Sequence, residues 1–229
     1  MARRKYESDE YNPRIKQYKE ADLVMLFNLN RIVTYKTSLM QEWLDVAIPK
    51  LDIFEQHTFD KKLEEAQINI SGWSEEDLKM KFIAYIVDLG NLTAGNGIVT
   101  YFDKTISATV EGTKLTVKSD FMMAKGFLDV FTTPYFHFQE YKPQKNPTGD
   151  PMAQILEAFL IAQVENQKEG SENPLYGCEI VGATWRFITM EQKTYCVSKS
   201  FDCSDDEDLL KIIAILRKFK MILETQLLI

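Results

Sequence analysis

Apolar residues in the first 70 positions recur at steps of three and four, the spacing of helices that bury one face. Residues 20–32 and 38–47 carry this spacing, and Pro49 ends the second run. Residues 53–70 form a third, more polar run, and none of the three shows strand-like alternation. The pattern therefore predicts three helices, which make residues 1–70 a helical N-terminal extension.

In the rest of the chain, helical and strand-like runs alternate. Ser74 and Asp150 are each suited to cap a helix, and a last helix is predicted over residues 207–226. Residues 71–229 are therefore expected to form one domain, in which helices and a single sheet pack in layers. Strands of that sheet are predicted at 98–101, 105–110, 114–123, 135–141, 176–181, 184–190 and 194–198, with a loop over 126–134. Apolar residues alternate along 114–123, and 135–141 is rich in aromatic residues.

Composition narrows the class of protein. Of the 229 residues, 45% are hydrophobic, which is enough for a substantial core. Charged residues interrupt every apolar run before the ~18 residues that a membrane helix needs, so we expect no membrane partner. The three cysteines have no close paired spacing. This favours a reduced, cytoplasmic setting and disfavours a zinc site.

The formal net charge is −7 at pH 7, which counts against a protein that wraps duplex nucleic acid. Total charge says little about one face, so an enzyme with a local basic cleft remains compatible with it. The net charge therefore gives only weak support to nucleic acid as a partner. The lysines available to contact phosphate are Lys118, Lys125, Lys142, Lys145 and Lys193.

The chemically informative residues lie on two neighbouring predicted strands. Glu140 and Lys142 end an aromatic strand and share one face, with Tyr141 on the other. Asp120 lies on the preceding strand, and pairing of the two strands would bring both carboxylates together. Two converging carboxylates repel each other unless a cation separates them, and Mg²⁺ or Mn²⁺ is the expected cation. Lys142 would then lie near the metal-bound water.

An acidic residue followed two positions later by lysine is a weak motif, because it occurs four times in the chain. Two occurrences lie on predicted helices, where residues i and i+2 point apart, and a third lies at a predicted hairpin turn. Only Glu140-Tyr141-Lys142 combines a strand end, an upstream Asp on a strand and a following helix. The other three are Asp60-Lys61-Lys62, Asp77-Leu78-Lys79 and Glu191-Gln192-Lys193.

The order of these elements resembles the restriction-endonuclease-like, or PD-(D/E)XK, nuclease superfamily. The order is a helix with Glu, a strand with Asp, a strand with Glu-x-Lys and a helix with Gln. Within it, the chain is similar to bacterial proteins related to the nuclease part of type I restriction subunits. Ser119 stands where the superfamily's name has Pro, a position that varies. The stretches that carry the resemblance, within residues 71–225, are SEEDLKMKFIAYIVDLG, TVKSDFMMAKG, FHFQEYKPQ, GDPMAQILEAFLIAQ and LYGCEIVGATWRFITME.

The resemblance implies an α/β restriction-endonuclease-like core, a central mixed β-sheet flanked by helices, following the helical N-terminal extension. It also implies a nuclease that hydrolyses phosphodiester bonds of DNA or RNA with a water activated by Mg²⁺ or Mn²⁺. Glu75 shares a helical stripe with Leu78 and Phe82 and is expected to point toward the sheet. The match assigns Asp120, Glu140 and the backbone carbonyl of Tyr141 to the metal, Lys142 to catalysis, Gln154 to the lining of the site and Glu75 to the first-helix acid.

Other interpretations of these residues stay open. Asp120 and Lys142 are also compatible with an ordinary cross-strand salt bridge, and Gln154 with a solvent-facing helix position. Glu75 suits the positive end of a helix dipole without any catalytic role. On that view the chain is a catalytically inactive module with a nuclease fold, which binds a partner in a larger complex. The N-terminal helices are compatible with a homodimer or partner-docking arm in either case.

Overall fold

The computed structural model describes residues 17–32, 36–92, 97–145 and 147–227. Its helices are α1 (Glu20–Phe27), α2 (Ser38–Leu44), α3 (Ile53–Asn69), α4 (Glu75–Leu78), α5 (Ala84–Leu89), α6 (Pro151–Lys168) and α7 (Asp206–Ile222). A 3-10 turn (Ile70–Gly72) follows α3, a π-helical turn (Lys79–Ile83) joins α4 to α5, and a second one (Leu223–Leu227) extends α7. No helix in these ranges is both long enough and apolar enough to cross a membrane.

The described strands are β1 (Asn30–Ile32), β2 (Ile98–Val110), β3 (Thr113–Phe127), β4 (Val130–Lys142), β5 (Leu175–Val181), β6 (Thr184–Glu191), β7 (Thr194–Val197) and β8 (Phe201–Asp202). They form one sheet in the order β1-β7-β6-β5-β4-β3-β2, with β8 paired to β6. β1 is parallel to β7 and β4 is parallel to β5, while the other pairs are antiparallel. The chain therefore has an α/β fold with a mixed, open sheet flanked by helices.

Each face of the sheet packs into its own hydrophobic cluster. Phe138 of β4 belongs to the cluster that includes Phe159 of α6. Tyr141 of the same strand belongs to the opposite cluster, which includes Phe219 of α7. Because side chains alternate along a strand, the end of β4 presents its even-numbered residues to the side of α6.

Two predicted helix caps are confirmed and set the position of the helices around that strand end. The Ser74 hydroxyl accepts a hydrogen bond from the backbone N–H of Asp77 at 3.1 Å, which fixes the start of α4. The Asp150 carboxylate accepts from the backbone N–H of Ala153 at 3.1 Å and fixes the start of α6. Both side chains satisfy backbone donors that a helix start otherwise leaves unpaired.

The prediction of a loop over residues 126–134 is wrong. β3 continues to Phe127 and β4 begins at Val130, so only a two-residue turn separates them. Gly126 is needed inside the strand because the Tyr101 hydroxyl lies where a side chain would start. Pro134 falls at a break in the β3–β4 register, where no backbone donor is required. Glycine and proline therefore mark close packing and a bulge here, and not a loop.

Three strands differ from their predicted form. The predicted strands at 98–101 and 105–110 are one strand, β2, which continues through Asp103 although that residue has a φ of +54°. β1 lies in a segment predicted to be helical, because Asn28 in the left-handed conformation ends α1. β8 was not predicted. Both β1 and β8 are held by pairing with strands more than fifteen residues away in sequence, which local periodicity does not register.

The N-terminal helices contribute to the core. Trp43 of α2 is fully buried, and its indole N–H donates to the carbonyl of Ile215 in α7 at 2.9 Å. Phe27 of α1 belongs to the cluster on the α6 side. The division into an extension of residues 1–70 and a domain of residues 71–229 stays a prediction, and residues 1–16 lie outside the described ranges.

Candidate functional site

Two acidic side chains come together where β3 and β4 pair. Phe121 pairs with Gln139 in the antiparallel ladder, so Asp120 and Glu140 follow as the next neighbours. Both carboxylates are buried, with Asp120 6% and Glu140 2% exposed. The backbone N–H of Tyr141 donates to Oδ2 of Asp120 at 2.8 Å, which holds the two strands together at this point.

Lys142 brings a positive charge to the same place. Its Nζ lies 2.6 Å from Oε1 of Glu140 and donates to the carbonyl of Tyr141 at 2.9 Å. β5 pairs with β4 up to Val181, which keeps this strand end covered and Lys142 buried. Glu140 and Lys142 therefore share one face of the sheet, while the Tyr141 ring packs into the opposite cluster.

Glu75 reaches this pair from the first turn of α4. Its Oε2 lies 3.6 Å from Nζ of Lys142, and its side chain is half-buried. The next residue, Glu76, is exposed. The Ser74 cap sets the rotation of the helix, so Glu75 points toward the sheet and Glu76 does not.

Lys79 is a member of the cluster that the sequence reasoning missed. Its Nζ lies 2.7 Å from Oδ1 of Asp120, 3.4 Å from Oε1 of Glu75 and 3.5 Å from Oδ1 of Asp103. Helical spacing is the signal that could have found it, because Lys79 follows Glu75 by four residues and so shares its face.

Burial and neighbouring charges set the charge states in this cluster. Burial raises the pKa of Glu140 to about 8, and the charge of Asp120 adds to the shift while Lys142 opposes it. Burial also disfavours the charge of Lys142, but Glu140 and Asp120 outweigh it and raise the pKa of that lysine. Burial likewise disfavours the charge of Lys79, but the neighbouring carboxylates, chiefly that of Asp120, outweigh it and raise the pKa of Lys79. Both lysines are therefore charged at neutral pH, while Glu140 ionises less readily than an ordinary glutamate.

A cleft of about 300 Å³ opens beside Lys142. Glu75 lines it from α4, and Gln154 and Glu157 line it from α6. The two α6 residues are three positions apart and so lie on the same helical face. The Asp150 cap fixes the first turn of α6 and thereby places both side chains at the cleft. The structure thus brings Glu75 and Gln154 to the same cavity as Lys142.

Glu157 is a second group that the sequence reasoning missed. It is 3% exposed, and its Oε2 has no hydrogen-bond partner among the described residues. Burial raises its pKa to about 8, so the carboxyl group keeps its proton at neutral pH. The available signal was an acidic residue within the apolar run of residues 155–162, where all the other residues are hydrophobic.

The predicted basic residues converge on the cleft only in part. Lys118 and Lys142 line it. Lys118 is exposed, and its Nζ lies 3.0 Å from Oδ1 of Asp103. The three that do not line the cleft are Lys125, Lys145 and Lys193.

His137 of β4 is a core residue. It is fully buried, and its ring centroid lies 4.7 Å from that of Phe219 in the cluster opposite α6. Burial lowers its pKa to about 3, so the imidazole is neutral. It therefore takes no part in the charged cluster on the other face.

The oxygen atoms of the cluster are of the kind that a hard divalent cation prefers. Oε1 of Glu140 and the carbonyl of Tyr141 converge on one ammonium nitrogen, and Asp120 is the adjacent acid on β3. Two carboxylates and one carbonyl fit Mg²⁺ or Mn²⁺ by donor chemistry. Within the described ranges, no group of three or more His, Cys, Asp or Glu side chains has the arrangement of a metal site. The fit therefore depends on the backbone carbonyl as well as on the carboxylates.

No protein-family model and no curated protein matches this chain. The likeness to the PD-(D/E)XK superfamily therefore depends on its own residues, which lie on β3, β4, α4 and α6. A mixed sheet with helices on both faces is common to many proteins of different function, so the site carries the functional argument.

Proposed function

We propose that this chain is a metal-dependent nuclease of the restriction-endonuclease-like, PD-(D/E)XK type, which hydrolyses phosphodiester bonds of DNA or RNA. The observation that carries the proposal is the meeting of Asp120, Glu140 and Lys142 on one face of the sheet, beside an open cleft. Buried acidic oxygens for a divalent cation, next to a lysine, are what metal-assisted phosphodiester hydrolysis needs.

Each residue has a role in the proposed site. Asp120, Glu140 and the carbonyl of Tyr141 would hold the cation, which supplies, when bound, a Lewis acid for the phosphate and a water that ionises more easily. The Lys142 ammonium group is held beside Glu140 and is placed to orient the attacking water and to stabilise negative charge on the phosphate. Glu75 lies 3.6 Å from that ammonium group and keeps it in position.

The cleft limits the class of substrate. Its volume of about 300 Å³ lies at the lower end of ligand pockets and suits a phosphate with one neighbouring nucleotide. Lys118 and Gln154 offer hydrogen-bond donors along its wall, and the protonated Glu157 offers a further one. With a net charge of −7, the chain is better suited to a short contact with nucleic acid than to wrapping a duplex.

The proposal predicts that purified protein cleaves nucleic acid only with Mg²⁺ or Mn²⁺. Lys142→Met and Asp120→Asn should each lower the rate at least about 10²-fold, because each removes a group that acts on the reacting phosphate or holds the cation. The measurement is cleavage of labelled single-stranded and double-stranded DNA and RNA, each with and without the metal.

Matched surface variants show whether such losses are specific. Lys168→Met removes an exposed lysine paired with Glu165 on α6, and Asp129→Asn changes an exposed acid at the β3–β4 turn. Both should cleave at the rate of the parent protein. Equal rates for Lys142→Met and Lys168→Met would show that Lys142 has no catalytic role.

A second candidate is a nuclease-fold module without turnover. It is favoured by the pairing of both carboxylates with lysines, Asp120 with Lys79 and Glu140 with Lys142, which balances their charge without a cation. Calorimetric titration with Mn²⁺ separates the two candidates. A nuclease should show saturable heat that Glu140→Gln abolishes, whereas an inert module should show none in either protein.

A further inference from the structure

Lys79 occupies the position on Asp120 where a cation would bind. Its Nζ lies 2.7 Å from Oδ1, while Oδ2 accepts the hydrogen bond from the Tyr141 N–H. Both oxygens of Asp120 therefore have partners in this structure. The side chain of Lys79 is 11% exposed, so the contact is shielded from solvent and is stronger than a surface ion pair.

An ammonium group and a divalent cation cannot share one carboxylate oxygen without strong repulsion. The two are therefore competitors for Oδ1 of Asp120. Lys142 contacts a different proposed ligand, Oε1 of Glu140, and would have to leave that oxygen in the same way. Lys79 is thus the group that has to move if Asp120 is to bind a metal with that oxygen.

Other acceptors for the displaced ammonium group are already in place. Oε1 of Glu75 lies 3.4 Å and Oδ1 of Asp103 lies 3.5 Å from Nζ of Lys79. Both oxygens already lie within ion-pair distance, so the ammonium group would keep acidic neighbours after leaving Asp120. Lys79 also begins the π-helical turn between α4 and α5, and such turns often occur at functional sites.

We propose that Lys79 is a built-in counter-ion of Asp120, which competes with the divalent cation and moves to Glu75 and Asp103 when the cation binds. This inference rests on the proposed function, since it concerns the same metal. It assigns Lys79 a positioning role: the residue compensates the buried charge when no cation is bound, and it weakens metal affinity. Removal of its charge should therefore tighten metal binding.

The test compares the full-length parent protein with Lys79→Met, using Mn²⁺ binding measured by calorimetry and by the electron paramagnetic resonance of free Mn²⁺. We expect Lys79→Met to lower the Kd for Mn²⁺ about tenfold, within the usual range of coupling between two binding events. Lys81→Met is the matched control. Lys81 lies two residues further on, is exposed and pairs with Asp77 at 2.7 Å. The Kd of Lys81→Met for Mn²⁺ should therefore equal that of the parent.

Thermal unfolding provides a second readout. Without metal, Lys79→Met should melt below the parent, because the buried Asp120 loses its counter-ion. Saturating Mn²⁺ should raise its Tm by more than it raises that of the parent, in line with tighter binding. Lys79→Gln, which can still donate to Asp120 without a charge, should show the same gain in affinity and covers the case in which Lys79→Met does not fold.

The outcomes separate this inference from the proposed function. Equal or weaker Mn²⁺ binding by both Lys79 variants, with saturable binding by the parent, overturns the counter-ion role and leaves the metal site standing. No saturable binding by the parent or by any Lys79 variant overturns the metal site and the counter-ion role together. A gain in affinity restricted to the Lys79 variants, with Lys81→Met unchanged, supports both.

Discussion

Two glutamates in or beside the site, Glu140 and Glu157, are buried, and burial is the main cause of their raised pKa values. Glu140 has Lys142 at 2.6 Å, which opposes the effect of burial on its pKa. Glu157 has no such partner among the described residues, and burial raises its pKa to about 8 without opposition. Burial thus raises the pKa of both glutamates to about 8, and they differ in their neighbours: Glu140 has an ammonium group beside it, and Glu157 has no lysine or arginine within ion-pair distance among the described residues.

Glu157 should make stability depend on pH. Its pKa is about 8 in the folded protein against 4.5 for an ordinary glutamate, so between these values the folded state holds a proton that the unfolded state has lost. The free energy of unfolding should therefore fall as pH rises from about 4.5 to 8, and level off above. The other charged groups that line this cleft are those of Glu75, Lys118, Lys142 and Asp150.

Glu157→Gln removes this part of the pH dependence. Between pH 5 and pH 9, the parent should lose about 4 kcal/mol of stability relative to the variant. Urea unfolding at both pH values measures the difference, and Glu169→Gln at the exposed end of α6 is the control. The same slope for Glu157→Gln and the parent would contradict a proton held on Glu157.

Short polar caps decide where the helices around the site begin. Ser74 orients α4 so that Glu75 meets Lys142, and Asp150 orients α6 so that Gln154 lines the cleft. The Asp150 carboxylate also accepts from the backbone N–H of Glu20 at 2.9 Å, which links α1 to the start of α6. One side chain thus connects the N-terminal segment to the wall of the cleft.

Asp150→Ala should lower the free energy of unfolding by about 1–2 kcal/mol, because two backbone donors lose their acceptor. Asp205 caps α7 by accepting from the N–H of Asp208 at 3.0 Å, away from the cleft. Asp205→Ala should cost about 1 kcal/mol and leave Mn²⁺ affinity and cleavage unchanged. Urea unfolding and the cleavage assay measure both variants, and an Asp150→Ala protein as stable as the parent would rule out the link.

At the scale of the molecule, the N-terminal segment belongs to the packing of the sheet. Trp43 lies between α7 and the sheet, with its ring centroid 5.0 Å from that of Tyr176 and 5.1 Å from that of Phe187. β1 extends the sheet by pairing with β7. An arm that only docks partners would not need either contact.

Trp43→Ala should therefore destabilise the whole protein by about 3–5 kcal/mol, the usual cost of emptying a large aromatic site in a core. Phe54→Ala on α3 is the control, since Phe54 is 80% exposed and should change stability by less than about 0.5 kcal/mol. Urea unfolding followed by circular dichroism measures both. If Trp43→Ala costs no more than Phe54→Ala, residues 1–70 are an independent appendage.

Sequence reasoning succeeded where the signal is local. The caps at Ser74 and Asp150, the common face of Glu140 and Lys142 at the end of β4 and the presence of the last helix each depend on residues within a few positions of one another. It failed at β1 and β8, where a distant strand provides the hydrogen bonds, and at residues 126–134, where glycine and proline serve packing.

The candidate site follows the same division. Alternation along one strand is a property of the backbone, so the common face of Glu140 and Lys142 could be inferred from their spacing alone. The contacts of Lys79 with Asp120 and the burial of Glu157 depend on how helices pack on the sheet, which local spacing does not encode. The chain order of residues therefore indicated which chemistry is available, and the packing of α4 and α6 on β3 and β4 determined which charges meet.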